Sequence, residues 1–258
     1  MQSAISDEAK RILDEARERG IILRLFGGVA VKYHCPSATH RSLQRSYPDL
    51  DFFGRGKQGR EVRKLFLDLG YEPNQRFNAL HGATRLIFED AKNQRVVDIF
   101  LDVFRMCHTL HLGNRLTLDD YTILISDLLL TKLQVVEINE KDIRDLIAIL
   151  NDHDVVERIA SVEKEVIDTG YIASLCADDW GLCKTISLTL RKLLTFISKY
   201  ELEPGARQIL ETRINKLLHA IEMVPKSFKW RLRDKVGERK LWYDLPEIPI
   251  RTQSVSSA

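Results

Sequence analysis

Three short blocks of the chain carry residues that could handle a phosphate and a metal ion together: Gly27-Gly28, Asp49-Leu50-Asp51, and Asp98. Side chains alternate along a strand, so Asp49 and Asp51 share one face while Leu50 and Phe52 take the other. Two carboxylates side by side on an apolar strand repel each other unless a cation sits with them. Asp98 repeats the arrangement on a later strand, with Val97 and Ile99 turned to the opposite face. Mg²⁺ prefers carboxylate, water and phosphate oxygens. Three carboxylates on neighbouring strands therefore suit a pair of Mg²⁺ ions, with Mn²⁺ as a substitute. Two such ions about 3.5–4 Å apart clamp the attacking and leaving oxygens of an in-line phosphoryl displacement. Gly27-Gly28 supplies the complementary part, because a strand that turns through glycines into a helix presents free backbone amides to phosphate. A lone Asp-x-Asp means nothing. The order of the three blocks, each in or at the end of a strand, carries the inference.

Four more residues belong to the same argument. Lys132 sits in an otherwise apolar helix between Leu129 and Leu133, where its amine must reach water or an anion. A nucleoside triphosphate (NTP) is such an anion. Arg45, four residues before Asp49, either reaches a phosphate or is solvated. Asp142 and Asp145 lie opposite the stripe Ile143, Leu146, Ile147 and Leu150, so by pattern alone they form a solvated helix face.

Phe26-Gly27-Gly28, Asp49-Leu50-Asp51 and Asp98 resemble the signature of the nucleotidyltransferase superfamily that includes DNA polymerase β. That signature is a hydrophobic residue with Gly-Gly or Gly-Ser, then Asp-x-Asp, then a third carboxylate on a later strand. Downstream, LLLTKLQVV (128–136) and KDIRDLIAIL (141–150) resemble helical motifs of the abortive-infection, AbiEii-like nucleotidyltransferase toxins. Lys132 matches the lysine of the first motif; Lys141, Asp142 and Asp145 match the second. The resemblance covers roughly residues 21–150, and residues 155–258 match nothing by eye. It implies that Asp49, Asp51 and Asp98 hold the metals and that Gly27, Gly28 and Lys132 bind the triphosphate. Asp142 and Asp145 then position the nucleotide, the metals or Lys132. The implied acceptor is a hydroxyl of RNA, tRNA among them, or of a protein, with an antitoxin protein as partner. A small-molecule nucleotidyltransferase of the aminoglycoside-modifying kind is the rival within the fold. A nucleotide-binding or interaction module without catalysis is the rival outside it. The 20 residues between Gly28 and Asp49 exceed the most compact members, so 36–48 is an insertion or a substrate-facing loop.

The elements that must position these residues read as follows. Residues 6–19 form an amphipathic helix stopped by Gly20, and 21–26 a buried strand ended by Gly27-Gly28. A short helix spans 29–34, a polar loop 36–48, a strand 49–53 and a helix 60–69. Strands follow at 84–89 and 95–101, with edge strands expected at 107–112 and 121–125. Helices are expected at 127–137, 140–150, 155–168, 179–199, 205–223 and 226–236. The fold class is α+β: a small mixed sheet with flanking helices over residues 1–125, then an all-helical part over 126–258.

Composition narrows the classes further. The chain has 258 residues, 44% of them hydrophobic, and a formal charge of +2 that announces neither nucleic acid nor membrane as a partner. The charge is unevenly spread: Lys184 to Lys240 holds 14 basic and 6 acidic residues, a net +8. Overlapping its end, 226–242 interleaves Phe228, Trp230 and Trp242 with bases, either an RNA surface or an amphipathic helix with its aromatics in the core. Cys35, Cys107, Cys176 and Cys183 lack CxxC spacing and read as buried thiols, the last two on one helix face. A charged N-terminus and the lack of a long apolar run point to a soluble, cytoplasmic protein. Gly54 to Gly59 spells GxGxxG, but the acidic residue that a dinucleotide site wants ~20 positions later is missing. That segment reads instead as a flexible loop whose Arg55 and Lys57 could touch phosphate. His108 and His111 read as surface residues.

Overall fold

The computed structural model describes residues 2–157 and 164–246. The architecture is α+β. α1 (Gln2–Glu18) leads into β1 (Leu23–Phe26), which passes without a loop into α2 (Gly27–His34). A 3₁₀ turn at Pro36–Thr39 and an irregular loop precede β2 (Leu50–Gly54). Next come α3 (Gly59–Asp68), β3 (Glu72–Pro73), α4 (Gln75–His81), β4 (Arg85–Asp90) and β5 (Arg95–Leu101). The five strands form one sheet in the order β1-β2-β5-β4-β3. β2 and β5 run parallel and the other pairs antiparallel, so the sheet is mixed.

β2 and β5 occupy the interior of the sheet. Leu50, Phe52, Val97 and Ile99 are fully buried, whereas Asp51 and Asp98 on the alternate positions remain partly exposed. This is the two-residue period of strands at work. Phe26, Phe53, Phe100 and Phe104 pack edge-on and offset against one another, with centroids 4.7–6.3 Å apart, and so fix where β1, β2 and β5 end.

The hairpin β6 (Val103–Arg105) and β7 (Thr109–His111) follows the sheet. The strand expected at 107–112 is thus the short β7. The one expected at 121–125 reduces to a single parallel bridge between Leu25 and Thr122. α5 (Ile125–Leu133) and α6 (Glu140–Asp152) come next, at the expected places. α5 is buried on nearly all sides, which is why its sequence shows no amphipathic period.

The expected helix at 155–168 is corrected at its ends, where β8 (Val155–Val156) pairs parallel with β9 (Ile167–Asp168); its middle lies outside the described residues. β-branched Val155, Val156 and Ile167 suit this extended pairing. α7 (Thr169–Asp178) was not expected, and α8 (Trp180–Phe196) begins afresh after Asp179, whose carboxylate caps it by accepting from the Leu182 N–H at 3.0 Å. Cys176 and Cys183 therefore sit on two helices, not one, though both are buried and free. α9 (Ala206–Met223) and α10 (Phe228–Val236) complete the order. One hydrophobic cluster runs from Ile5 to Ile221, with α2 packed against α5 and α6. Among the described residues, no helix is long and apolar enough to cross a membrane.

Candidate active site

The site is built where three strands and a helix start meet. The parallel register of β2 and β5 sets Asp51 directly beside Asp98. In the antiparallel register of β1 and β2, Asp51 faces Phe26, the residue before Gly27. Asp49 stands just before β2, two residues from Asp51 and on its face. The chain turns at Gly27 with φ +67°, a left-handed conformation that favours glycine. A Cβ there would lie 2.0 Å from Asp51 Oδ2. Glycine is required twice over, for its backbone angle and for the approach of the carboxylate. At Gly28 a Cβ would lie 2.0 Å from Arg45 Nη2. The first turn of α2 is thus flanked by Asp51 on one side and Arg45 on the other.

Burial pushes the Asp51 carboxyl up to about 7, with repulsion from Asp98 and Asp49 adding to it and attraction to Lys132 and Arg45 opposing it. Burial also raises Asp98, and here Arg85 opposes the rise. Arg85 donates from Nε and Nη2 to the two Asp98 oxygens at 2.9 and 2.6 Å. Its guanidinium lies 4.6 Å from the Phe100 ring centroid and 5.4 Å from that of Phe77. Sequence reasoning missed Arg85. The signal was an arginine opening the apolar run LIF: Ile87 pairs with Asp98, and Arg85, two residues earlier, shares its face. The three carboxylates do repel one another, but Asp98 has a protein cation of its own in Arg85.

A second group of charges lies on the other side of Gly28. Asp145 accepts from Arg45 Nε and Nη2 at 2.8 and 2.7 Å, and pairs with Lys132 Nζ at 2.8 Å. Lys132 also donates to Asp142 at 3.1 Å. Asp142 and Asp145 are therefore buried, not a solvated face. The 36–48 loop covers the side of α6 that the apolar stripe leaves open. It is tied there by Ser37 N–H to Asp152 at 2.8 Å, Arg144 to Gln44 O at 2.6 Å, and the Arg45–Asp145 pair. Burial raises the Asp145 carboxyl, but Lys132 and Arg45 outweigh it and hold the group below the usual carboxylate range. The same carboxylates outweigh the burial of Lys132 and raise its amine. Arg45 also stacks 4.3 Å from the Tyr47 ring centroid, with Lys32 Nζ 5.7 Å from it.

Structure thus brings all nine predicted site residues into two adjoining groups. Asp49, Asp51 and Asp98 gather at the sheet with Gly27. Lys132, Arg45, Asp142 and Asp145 gather around Gly28. Among the described residues, no three His, Cys, Asp or Glu side chains converge as a metal-coordination group, and Asp98 is turned into Arg85. Mg²⁺ does not require such a cage, because it is commonly held by one or two carboxylates together with substrate phosphates and water. The Asp49–Asp51 pair fits that donor set, and the missing Cβ at Gly27 is what lets the Asp51 carboxylate approach the start of α2.

Other expectations are corrected here. Arg55 donates to Gly113 O and lies 3.8 Å from Asp102, so it is held away from any phosphate role. Residues 56–58 are an ordered 3₁₀ turn leading into α3. His108 is buried, its ring bonded to Thr185 Oγ1 at 2.8 Å, while His111 is exposed.

A cleft of about 850 Å³ lies along α6 and includes none of the nine residues. Arg41 and Ser42 of the loop, Ile143 and Arg144 of α6, Phe196 at the end of α8 and Tyr200 beyond it line the cleft.

No family model matches the chain, and no curated protein does. Among solved structures, the solution structure of the antibiotic-resistance factor ANT(2'')-Ia matches 58% of this chain and 84% of its own, at 15% identity and a TM-score of 0.40. The lincosamide antibiotic adenylyltransferase LnuA, lincomycin-bound, matches 55% of this chain and 94% of its own, at 16% identity and a TM-score of 0.41. Likeness at this level leaves the functional reading to the site's own geometry.

Proposed function

We propose that the protein is a nucleotidyltransferase that moves an NMP from an NTP to a hydroxyl group. The observation that carries the reading is the pairing of Asp51 with Asp98 on adjacent parallel strands, Asp49 beside them, over a turn at Gly27 that strongly favours glycine. Such an arrangement costs stability through burial and repulsion, which a purely structural strand would avoid with apolar residues.

In this reading the acceptor oxygen attacks the α-phosphorus, and the bond from that phosphorus to the bridging oxygen breaks to release pyrophosphate. Asp49 and Asp51 would hold Mg²⁺, which when bound neutralises charge on the phosphate oxygens and polarises them. Backbone amides at the start of α2 bind phosphate oxygens with the helix dipole behind them. Arg85 fixes the Asp98 carboxylate, whose remaining lone pairs accept the hydroxyl proton. Lys132 has three N–H donors, of which Asp142 and Asp145 take two. The third serves the leaving pyrophosphate, and the two aspartates aim it there.

For the acceptor, the resemblance to AbiEii-like toxins favours RNA or a protein, with an antitoxin as the controlling partner. The cleft beside α6 balances Glu140, Glu201 and Glu203 with Arg41, Arg144 and Lys199, so it is not the strongly anionic cleft that a polycationic drug would require. The test is incubation with each labelled NTP, Mg²⁺, and either total RNA or total protein. A labelled RNA or protein band supports the reading. Labelling of neither, with transfer to an aminoglycoside or lincosamide, moves the acceptor to the small-molecule class.

A further inference from the structure

All three tryptophans of the chain line one cleft, although they stand at positions 180, 230 and 242. The cleft holds about 620 Å³, a size suited to a small ligand. It lies between the β6–β7 hairpin, the junction of α7 and α8, α10, and the segment 240–244, and shares no residue with the carboxylate site. Its floor is fixed. Thr185 Oγ1 bonds both His108 Nε2 at 2.8 Å and Trp242 Nε1 at 3.1 Å. His108 N–H donates to Gln134 at 2.8 Å. Burial lowers the His108 imidazole, so it is neutral near pH 7.

The aromatic walls have different tasks. Trp180 is buried, donates to Asp234 at 2.6 Å, and has Arg233 4.6 Å from its ring centroid. Arg233 is further spent on Gly237 O and Lys240 O. Trp242 is only partly buried, with its ring plane set by the bond to Thr185 and by edge contacts to Trp180 and Tyr243 at 6.4 and 5.4 Å. An indole pinned by its N–H with part of its surface open is a stacking platform. Lys229 and Lys240 stand exposed at the rim. Around them, residues 226–240 carry seven bases against two acids. Of the three acids at the cleft, Asp179 is committed to capping α8.

An aromatic platform beside flexible lysines in a positive surround matches a flat ring that carries negative charge. The geometry points to a second nucleotide-recognising site here, in which a nucleobase stacks on Trp242 and its phosphate is met by Lys229 and Lys240. The base and phosphate could belong to a free mononucleotide or to an RNA strand, and both present the same chemistry. This site stands independently of the transferase reading.

Because every tryptophan lies in this cleft, the full-length protein's own fluorescence reports on it alone. Emission excited at about 295 nm would be titrated with AMP, CMP and short single-stranded RNA in EDTA. Saturable quenching is expected. For the strand it should weaken with added salt, as released counterions require. Lys229→Gln combined with Lys240→Gln, both at exposed positions, should weaken binding about tenfold and flatten the salt slope while leaving the unliganded emission unchanged. Trp242→Phe should keep the fold and weaken quenching. Tighter binding of the strand than of the mononucleotides assigns the site to RNA, and equal binding assigns it to a free nucleotide. Absence of saturable quenching by all probes, or unchanged affinity in the double glutamine variant, overturns the proposal. Transfer activity is measured separately, so failure of one reading leaves the other standing.

Discussion

Arg85 holds Asp98 by both carboxylate oxygens, at 2.9 and 2.6 Å, from one strand to the next. The bridge orients one of the three carboxylates. Its partner cation is buried between Phe77 and Phe100. Removing it would leave Asp98 charged and uncompensated.

Arg85→Ala should therefore cost about 3–5 kcal/mol in urea unfolding, the usual cost of breaking a buried pair from one side. Arg85→Met combined with Asp98→Asn should cost less than the single change, because no charge is then left alone. A double variant less stable than Arg85→Ala would show that the pair is not an electrostatic unit.

Lys132→Ala should act on both stability and turnover. Asp142 and Asp145 lose their shared cation, so unfolding should become easier by a few kcal/mol. Nucleotide affinity or turnover should fall on the order of tenfold or more if the third N–H meets the pyrophosphate. Adding Asp142→Asn should restore part of the stability without restoring transfer. Recovery of both together would make Lys132 a purely structural residue.

The sequence shows plainly where the candidate-site carboxylates stand and hides what neutralises them. Strand alternation was enough to place Asp49 and Asp51 on one face and Asp98 on another strand, and their register followed. Arg85 was hidden because its partner is supplied by antiparallel pairing 13 residues away, which no local pattern reports. Asp142 and Asp145 misled for a related reason. Helical periodicity distinguishes the apolar stripe from the rest, but not solvent from a covering polar loop. The 36–48 segment, bound to α6 through Arg45 and Arg144, is what buries them. α4 was missed because PNQRFNALHG offers turn residues at both ends and few apolar ones. Asn74 nonetheless caps that helix, accepting from the Phe77 N–H at 3.1 Å. In the helical part, the spacing of Cys176 and Cys183 suits one helix face, but Asp179 caps a new helix between them.

Acid stability should follow Asp145. Its carboxyl is held below the ordinary value, so it contributes stability that is present above about pH 4 and lost as pH falls through the lowered folded value. Chemical denaturation of the wild type from pH 6 downward should show this loss. In the Asp145→Asn, Lys132→Met variant the slope below about pH 4 should be shallower. An identical slope would place the acid sensitivity in other carboxylates.

Asp51 has the opposite sign. Its folded carboxyl is raised to about 7, so its contribution is fully present below about pH 4 and lost as pH rises through that value. Asp51→Asn should therefore stabilise the metal-free protein at pH 8, by at most about 4 kcal/mol, and should not do so at pH 4. Thermal melts in EDTA at the two pH values would measure it. Equal effects at both would remove the burial and repulsion argument.

Gly27→Ala is expected to cripple the site while sparing the core. Alanine must adopt φ +67° and place its methyl 2.0 Å from Asp51 Oδ2, so either the turn or the carboxylate moves. A shift of ~1 Å in a reacting group can cost about 100-fold in rate. Wild-type transfer by this variant would mean that Asp51 works from some other position.

The central claim is that the carboxylates over the Gly27 turn perform nucleotidyl transfer. It is tested most directly by giving α-³²P-labelled NTPs and Mg²⁺ to the wild type and to Asp51→Asn, with RNA and protein acceptors side by side. The account predicts acceptor-bound label and released pyrophosphate from the wild type, with both abolished in Asp51→Asn at an undiminished melting temperature. Equal labelling by the two proteins would contradict it.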